Sequence, residues 1–351
     1  MAVTPDEYQT LGLRQDHIEP WEDGLRTNTG PGSYEWWYFD AHLEDGSTLV
    51  IIFYTKNPLN PGHPLQPFVT VHLERPGADP IIFENHHPAD HFSASTEACH
   101  VRIADDVFRG DLHHYEIHIE HDDTVIDVDL VGQVPAWRPA TGHLLFGESD
   151  EHYFAWLPSV PQGTVTARIT SGTSTKIHTG VGYHDHNWGD AAMHKLMNHW
   201  YWGRAQAGPY SIVASYITAA HRYGDAGVPV FLLSKDGTIV ADDASKVTFE
   251  LGDQHTDDQS GKPVADIVVF EYESADDLYR VGFRRSETIT DRQLINEISG
   301  PNRLLARLAH FDGSYLRFTG DVQLEHFVAG KKAEDVCDPG IWELMYFGRT
   351  R

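Results

Sequence analysis

The segment at residues 182–189, GYHDHNWG, concentrates side chains that can move protons or bind metal ions. On a β-strand alternate residues share a face, so His184 and His186 would point one way and Asp185 the other. A His-x-His pair is also a spacing found in zinc and non-haem iron sites, which need one or two further ligands. The segment leaves three interpretations open: a metal site, a proton-transfer site, or a polar turn.

Other features of the chain argue against a metal ion. The chain has 23 histidines, so chance His-x-His pairs are expected. Its two cysteines, Cys99 and Cys337, have neither zinc-type spacing nor the pattern of a disulfide framework. The candidate further ligands are Glu35, Asp40, His194 and His199. We therefore expect His184 and His186 to work without a bound ion.

A second segment, residues 33–46, reads SYEWWYFDAHLEDG and places carboxylates beside indoles. The strand period predicts two faces, Glu35, Trp37 and Phe39 on one and Trp36, Tyr38 and Asp40 on the other. A carboxyl beside indoles is poorly solvated, so its pKa should rise and it could donate a proton near neutral pH. The alternative is that Trp36 and Trp37 belong to the core and that Glu35 hydrogen-bonds to backbone.

A third aromatic segment, HWYWGRA at residues 199–205, contains Trp200, Tyr201 and Trp202. The chain has no G-x-S-x-G nucleophile motif, no P-loop and no G-x-G-x-x-G motif after a strand. The His, Asp, Glu, Tyr and Asn side chains of these segments could therefore transfer protons, or orient an apolar substrate by hydrogen bonds, in a cavity that needs no cofactor.

Alternation of apolar and polar residues predicts strands along most of the chain. In the first half they are predicted at residues 47–56, 66–75, 114–132 and 163–189, and the second half repeats the pattern. Hairpin turns are predicted at residues 122–123, 171–172 and 236–237. Helices are predicted only at residues 190–199, capped by Asp190, and at residues 301–310. This pattern predicts an all-β fold of sandwich or antiparallel-barrel type.

Length and charge narrow the possible functions. With 351 residues we expect two domains, at residues 1–195 and 196–351. The net charge of −26 opposes binding to nucleic acid or to anionic lipid. We expect a cytoplasmic protein, because the chain shows no secretory signal and no apolar run long enough for a membrane span. The oligomeric state stays open.

The three segments EWWYFDAHLEDG, GYHDHNWG and HWYWGRA, in that order, resemble motifs of the carotenoid hydratase (hydroxyneurosporene synthase) and AttH-like family. Its distant relatives include fungal decalin-forming Diels–Alderases and kievitone hydratase. The resemblance covers about residues 30–350. It implies two lipocalin-like antiparallel β-barrel domains packed together, with a ligand cavity in or between them. It also implies hydration or cyclisation of hydrophobic polyenes, isoprenoids or polyketides without a redox cofactor.

The family motifs carry over to this chain only in part. The family's His-Asn-Trp matches His186, Asn187 and Trp188, and its aromatic strand matches Trp200 and Trp202. The hydratases also carry a Tyr-x-Asp whose aspartate supplies the proton. The best match here is residues 216–218, Tyr-Ile-Thr, in which threonine replaces that aspartate and cannot protonate an alkene.

These observations predict a cofactor-independent cyclase or isomerase with its cavity at the domain junction. The alternatives are an alkene hydratase, with Glu35, Asp40 or Asp185 as the acid, and a lipophile-binding protein without catalysis. The predicted catalytic residues are His186, Glu35, Asp185 and Tyr38. The predicted substrate-binding residues are Trp37, His184, Asn187, Trp188, Trp200, Tyr201, Trp202 and Tyr216. The only predicted partner is a hydrophobic small molecule.

Overall fold

A computed structural model of the chain describes residues 1–293 and 313–347. The chain separates into two compact units, Met1–Ala192 and Met193–Arg351. Each unit is built on one curled antiparallel sheet, which confirms the predicted class of lipocalin-like all-β domains. Each sheet is an open half-barrel rather than a closed barrel. The functional domain boundary between residues 195 and 196 stays a prediction.

The first unit contains a 12-stranded sheet. Its strands are β1 (Tyr34–Leu43), β2 (Thr48–Tyr54), β3 (Phe68–Arg75), β4 (Ala78–His86), β5 (Phe92–Ala94), β6 (His100–Ile103), β7 (Asp106–Gly110), β8 (His114–His121), β9 (Thr124–Gly132), β10 (His143–Phe146), β11 (His152–Ser171) and β12 (Ser174–Gly189). Their order across the sheet is β4-β3-β2-β1-β12-β11-β9-β8-β7-β6-β5, and β10 pairs with β11. The helical segments are α1 (Pro5–Thr10) and the 3₁₀ turns Pro20–Asp23 and Ala89–His91. The order brings β1 and β12, distant in sequence, side by side.

The second unit contains a 9-stranded sheet. Its strands are β13 (Met197–Ala207), β14 (Tyr210–Ala219), β15 (Gly227–Lys235), β16 (Thr238–Ala241), β17 (Val247–Thr256), β18 (Pro263–Glu273), β19 (Asp277–Gln293), β20 (Ser314–Val328) and β21 (Lys331–Tyr346). Their order is β16-β15-β14-β13-β21-β20-β19-β18-β17. The helical segments are α2 (Met193–Leu196) and the 3₁₀ turns His221–Tyr223 and Ala244–Lys246.

Alternating burial explains why these segments are strands. On β2, Leu49, Ile51 and Phe53 are fully buried, while the residues between them are partly exposed. Burying one face of each strand against a common core removes its apolar side chains from water, which is the main favourable term in folding. The core of the first unit gathers such residues from all along its sheet.

The hairpin turns predicted at residues 122–123 and 236–237 are confirmed, and the third lies one residue later than predicted, at residues 172–173. At the β15–β16 turn Asp236 and Gly237 both have positive φ, 49° and 78°. That backbone matches the primed turns whose twist suits a two-residue hairpin, and Asp-Gly is a preferred pair for it.

The predicted helix at residues 190–199 is largely wrong. The helix is the single turn Met193–Leu196, and β13 begins at Met197. Asp190 does not act as the predicted cap, because its carboxylate accepts the N–H of Tyr153 (2.9 Å). The predicted helix at residues 301–310 lies outside the described residues. Among the residues that are described, no helix is both long and apolar enough to cross a membrane.

Candidate functional site

The ladder between β1 and β12 brings two of the three sequence motifs together. Trp37 lies opposite His186, Phe39 opposite His184, and Tyr38 opposite Asp185. Because paired residues on neighbouring strands point to the same side, the predicted division into two faces is confirmed. The inner face carries the two histidines, and the opposite face carries the aspartate. The four predicted catalytic residues are therefore split, with His186 and Glu35 on the inner face and Asp185 and Tyr38 on the other.

Strand β11 is irregular where it pairs with this part of β12. Between Leu157, Val160 and Gly163 it uses three residues for every two on β12, which produces two bulges. Pro158 and Pro161 lie in these bulged steps, and neither has the N–H that a regular ladder requires. Bulges of this kind re-aim side chains and are common beside functional sites.

Asp23, from the N-terminal segment, is the centre of a buried network on the inner face. Its Oδ2 atom lies 3.1 Å from Nε2 of His184 and also accepts the hydroxyl of Tyr115. Burial, the largest single effect, acts to raise the pKa of Asp23, but His184, His186 and Tyr115 together outweigh it, so the pKa is lowered. The other ring nitrogen of His184, Nδ1, donates to the carbonyl of Tyr38 (2.8 Å). Both ring nitrogens of His184 thus face oxygen atoms, which fixes the orientation of the ring.

His186 connects this aspartate to Glu35. Its Nε2 lies 2.8 Å from Oε1 of Glu35 and its Nδ1 lies 3.5 Å from Oδ1 of Asp23. The ring of Trp37 stacks on His186, with centroids 4.6 Å apart. Asp23, Glu35 and His186 are almost completely buried, so this network holds charged groups inside an apolar interior.

Glu35 is hydrogen-bonded on both oxygens. Oε1 accepts the N–H of Arg26 (2.7 Å), and Oε2 accepts the N–H (2.9 Å) and hydroxyl (2.8 Å) of Thr27. Glu35, on β1, therefore links residues 26–27 to His186 on β12. This is the alternative named above, in which Glu35 hydrogen-bonds to backbone. Its role as a proton donor stays a prediction with little geometric support.

One group of side chains has a spacing that could hold a metal ion. Ligand atoms of Asp23, Cys99 and His184 lie within 4.8 Å of one another, and all three residues are buried. Burial, and next the charge of Asp23, raise the pKa of Cys99 well above its usual value, which disfavours the thiolate that a metal needs. Asp23 and His184 are already hydrogen-bonded to each other. The expectation that the histidines work without a metal stays a prediction.

Asp185 is the centre of a second cluster, on the opposite face of β12. Its carboxyl accepts hydrogen bonds from Tyr183 (2.7 Å), Trp156 Nε1 (2.7 Å) and Asn187 (2.6 Å). Burial raises the pKa of Asp185 to about 7, although the three donors favour the ionised form. A carboxyl with a pKa near 7 can hold a proton at neutral pH and release it to a substrate. On the same face Tyr38 donates to Asp40 (3.0 Å).

The predicted residues of the second unit lie on two faces of β13 and β14. Tyr201 and Tyr216 contact the core of their unit, where the Tyr216 ring stacks on Phe249 at 3.9 Å. Trp200 and Trp202 are half-buried on the other face, and Trp200 Nε1 donates to Glu343 (3.3 Å). The role of these four residues in binding a substrate stays a prediction.

The threonine that replaces the hydratase aspartate lies beside a histidine. The hydroxyl of Thr218 is 3.2 Å from Nε2 of His199. Burial lowers the pKa of His199 to about 4, so this ring is neutral at pH 7. The pair therefore offers neutral hydrogen-bonding groups instead of a strong acid.

A cavity of about 320 Å³ lies within the first unit. Its apolar wall includes Leu11, Leu13, Trp21, Trp156, Leu157 and Trp188. Two of these tryptophans contact the clusters described above. The Trp188 ring lies 4.7 Å from the His186 ring, and Trp156 donates to Asp185. The cavity therefore adjoins the histidine network through Trp188, whereas Asp185 lies on the opposite face of β12. A wider and more open cleft of about 860 Å³ on this unit is lined mainly by charged side chains and suits an apolar ligand less well.

Sequence reasoning missed the contribution of the N-terminal segment. Residues 17–24, HIEPWEDG, supply Trp21 to the cavity and Asp23 to the histidine network. A tryptophan with three acids in eight residues is the same aromatic-acid signature as that of residues 33–46, and it could have been found by that criterion. Tyr115 and Trp156 had no such signal, because each lies in a strand with ordinary alternation.

Comparison with known proteins places the chain in a family. The sequence profile described as Diels-Alderase-like matches residues 28–284. The chain belongs to the Diels-Alderase-like family. Two curated relatives are a hydroxyneurosporene dehydrogenase of Chlorobaculum tepidum (29% identical over 235 residues, 58% of each chain) and the Diels-Alderase poxQ of Penicillium oxalicum (28% over 171 residues, 48% of this chain and 35% of the relative). The matches thus span about half of these relatives or less.

Two solved structures share the fold of this family member. CghA superposes with a TM-score of 0.62 at 14% identity, covering 96% of this chain and 97% of its own. A putative AttH protein of Nitrosomonas europaea gives 0.60 at 14% identity, covering 95% and 97%. These likenesses confirm the resemblance inferred from the sequence motifs.

Glu35→Gln tests whether the carboxylate is ionised and structural. The new amide would present an NH₂ group to at least one backbone N–H, so we expect the free energy of unfolding to fall by about 1–3 kcal/mol. Urea unfolding measures the change. Glu44→Gln is the control, because Glu44 is exposed and accepts one hydrogen bond, from Thr179. Unchanged stability in Glu35→Gln would instead support a protonated Glu35 and its role as an acid.

Metal content tests the expectation that the buried histidines need no ion. We expect zinc and iron in the purified protein to be far below one ion per chain, and a chelator to leave the unfolding temperature unchanged. Elemental analysis and thermal unfolding provide the two measurements. Near-stoichiometric metal that disappears in Cys99→Ser would reverse the expectation and identify the buried trio as its ligands.

Proposed function

We propose that this protein is a cofactor-independent cyclase or isomerase of Diels–Alderase type that acts on a hydrophobic polyene, isoprenoid or polyketide. The observation that supports this most directly is the tryptophan-lined cavity of the first unit, in a chain of the Diels-Alderase-like family. The names of the relatives, a Diels-Alderase among them, point the same way.

The walls of the cavity suit a reaction controlled by conformation. Trp21 and Trp188 present flat apolar surfaces against which a flexible chain can fold. Holding the reacting ends close together removes conformational entropy before bond formation, which can contribute several kcal/mol to the rate. The cavity volume of about 320 Å³ lies at the small end of the range of about 300–1,000 Å³ for ligand cavities, which favours a substrate of modest size.

Truncation of Trp188 tests this proposal. Trp188→Ala should weaken substrate binding and broaden the distribution of cyclised products, because it removes a wall and leaves the acids in place. Chromatography with mass spectrometry on a panel of linear polyenes and polyketides measures both effects. Trp188→Phe is the matched control, since it retains a ring and should keep most of the selectivity. Tight binding of several panel members without conversion would favour a lipophile carrier, and product ratios unchanged in Trp188→Ala would remove the cavity from the site.

Hydration of an alkene is the second candidate, and Asp185 favours it. This carboxyl has a pKa near 7 and accepts the indole N–H of Trp156, a residue of the strand that borders the cavity. General acid catalysis of this kind contributes about 10²–10⁴ in rate. The relative named kievitone hydratase shares the fold, with a TM-score of 0.54 at 12% identity.

Asp185→Asn separates the two reactions. In a hydratase acting through Asp185 the turnover rate should fall at least about a hundredfold. The parent rate should also be flat below pH 7 and fall about tenfold per pH unit above it, because the acid must be protonated. In a pericyclic cyclase both effects should be small, and we expect this milder outcome. Incorporation of ¹⁸O from labelled water identifies hydration directly. Asp45→Asn, at an exposed turn, is the control.

A further inference from the structure

The cavity of the first unit has one polar end. His143, Tyr153 and Arg138 line it there, and the rings of His143 and Tyr153 lie 5.6 Å apart. The edge of Trp188 packs against His143 at 5.5 Å, so this end adjoins the aromatic wall. None of these three polar residues was singled out in the sequence. Their hydrogen bonds show which atoms remain available to a ligand.

His143 presents a hydrogen-bond acceptor. Its Nδ1 lies 2.9 Å from the carbonyl oxygen of Thr141, and a carbonyl only accepts, so Nδ1 carries the hydrogen. Burial lowers the pKa of His143, and the nearby charge of Arg138 acts in the same direction. The ring is therefore neutral at pH 7, and Nε2 carries a lone pair. No contact among the described residues occupies that lone pair.

Tyr153 presents a donor. Burial raises the pKa of Tyr153 to about 12, so its hydroxyl keeps its hydrogen at neutral pH. Within the described part of the chain this hydroxyl has no hydrogen-bond partner, whereas the backbone N–H of Tyr153 is held by Asp190. A neutral phenol in a poorly hydrated site is an effective donor to a substrate oxygen.

Arg138 is held at the polar end by an ion pair with Glu22, which also lines the cavity. One guanidinium nitrogen lies 2.7 Å from Glu22, and both residues are at least nine-tenths buried. Another donates to the backbone carbonyl of Arg14. Its Nε is buried without a hydrogen-bond partner among the described residues. A buried N–H without a partner is destabilising, so a ligand oxygen nearby would be favoured.

We propose that this polar end binds a hydroxyl or enol oxygen of the substrate, which donates to Nε2 of His143 and accepts from the hydroxyl of Tyr153. The assignment rests on the proposed function, which it extends by naming the substrate class: a lipophile that carries an alcohol or enol group. The apolar part lies against Trp188 and Trp21. An enol that donates to His143 becomes more electron-rich, which would activate it as a diene in a cyclisation.

Binding of three matched probes tests the assignment without requiring turnover. Naphthalene offers no polar group, 2-methoxynaphthalene offers an acceptor, and 2-naphthol offers both a donor and an acceptor. Calorimetry at pH 7 should show the parent protein binding 2-naphthol about 2- to 12-fold more tightly than 2-methoxynaphthalene, the range of one neutral hydrogen bond. It should bind 2-methoxynaphthalene more tightly than naphthalene by a similar factor.

Two substitutions should remove these preferences separately. Tyr153→Phe should abolish the advantage of 2-methoxynaphthalene over naphthalene, and His143→Phe the advantage of 2-naphthol over 2-methoxynaphthalene. Tyr272→Phe removes a tyrosine hydroxyl in the core of the second unit and should alter neither of the two binding preferences. Circular dichroism checks that each variant is folded, and Trp188→Ala should weaken all three probes.

Three outcomes would overturn the assignment: no binding of 2-naphthol, equal binding of all three probes, or preferences that survive both substitutions. These outcomes are distinct from a failure of the cyclase proposal. If no polyene is converted but the two preferences behave as expected, the polar end is a binding site of a protein with another activity. If conversion occurs and the preferences are absent, the substrate oxygen lies elsewhere.

Discussion

The ten-residue antiparallel ladder between β1 and β12 is the constraint on which the candidate site depends. It pairs two motifs that lie about 150 positions apart in the chain, and the strand period then separates their side chains onto two faces. One face buries histidines and carboxylates within the sheet, and the other carries Asp185. A shift of one residue in this register would exchange the two sets, so the ladder determines which acid is near which base.

Several ionisable groups are buried in the first unit, and the chain that precedes β1, including residues 17–27, supplies the partners that stabilise them. Isolated ions in an apolar interior are strongly destabilised, and they persist only when they are paired and hydrogen-bonded. Asp23 supplies the partner of His184, while Arg26 and Thr27 supply donors for Glu35. The segment also provides part of the cavity wall, so stability and ligand binding depend on the same stretch of chain.

The site separates structural from ligand-facing groups. Glu35 is hydrogen-bonded to His186 and to backbone, and His186 also faces Asp23, whereas His143 and Tyr153 line the cavity. The acid expected on β14 is a threonine, and a carboxyl with a pKa near 7 is found on β12 instead. The buried carboxyl of this unit thus lies on β12, far in sequence from the position that the hydratase motif indicates.

The sequence alone determined the strand pattern, the hairpin turns and the two faces of β1 and β12, because each depends only on local periodicity and turn chemistry. It also carried the three motifs that identify the family. It could not show that Asp23 meets His184, that Trp156 meets Asp185, or that His143 and Tyr153 adjoin one cavity. These contacts join residues from different strands and from the N-terminal segment. They exist only when the sheet curls around its core, and no sequence spacing encodes that approach.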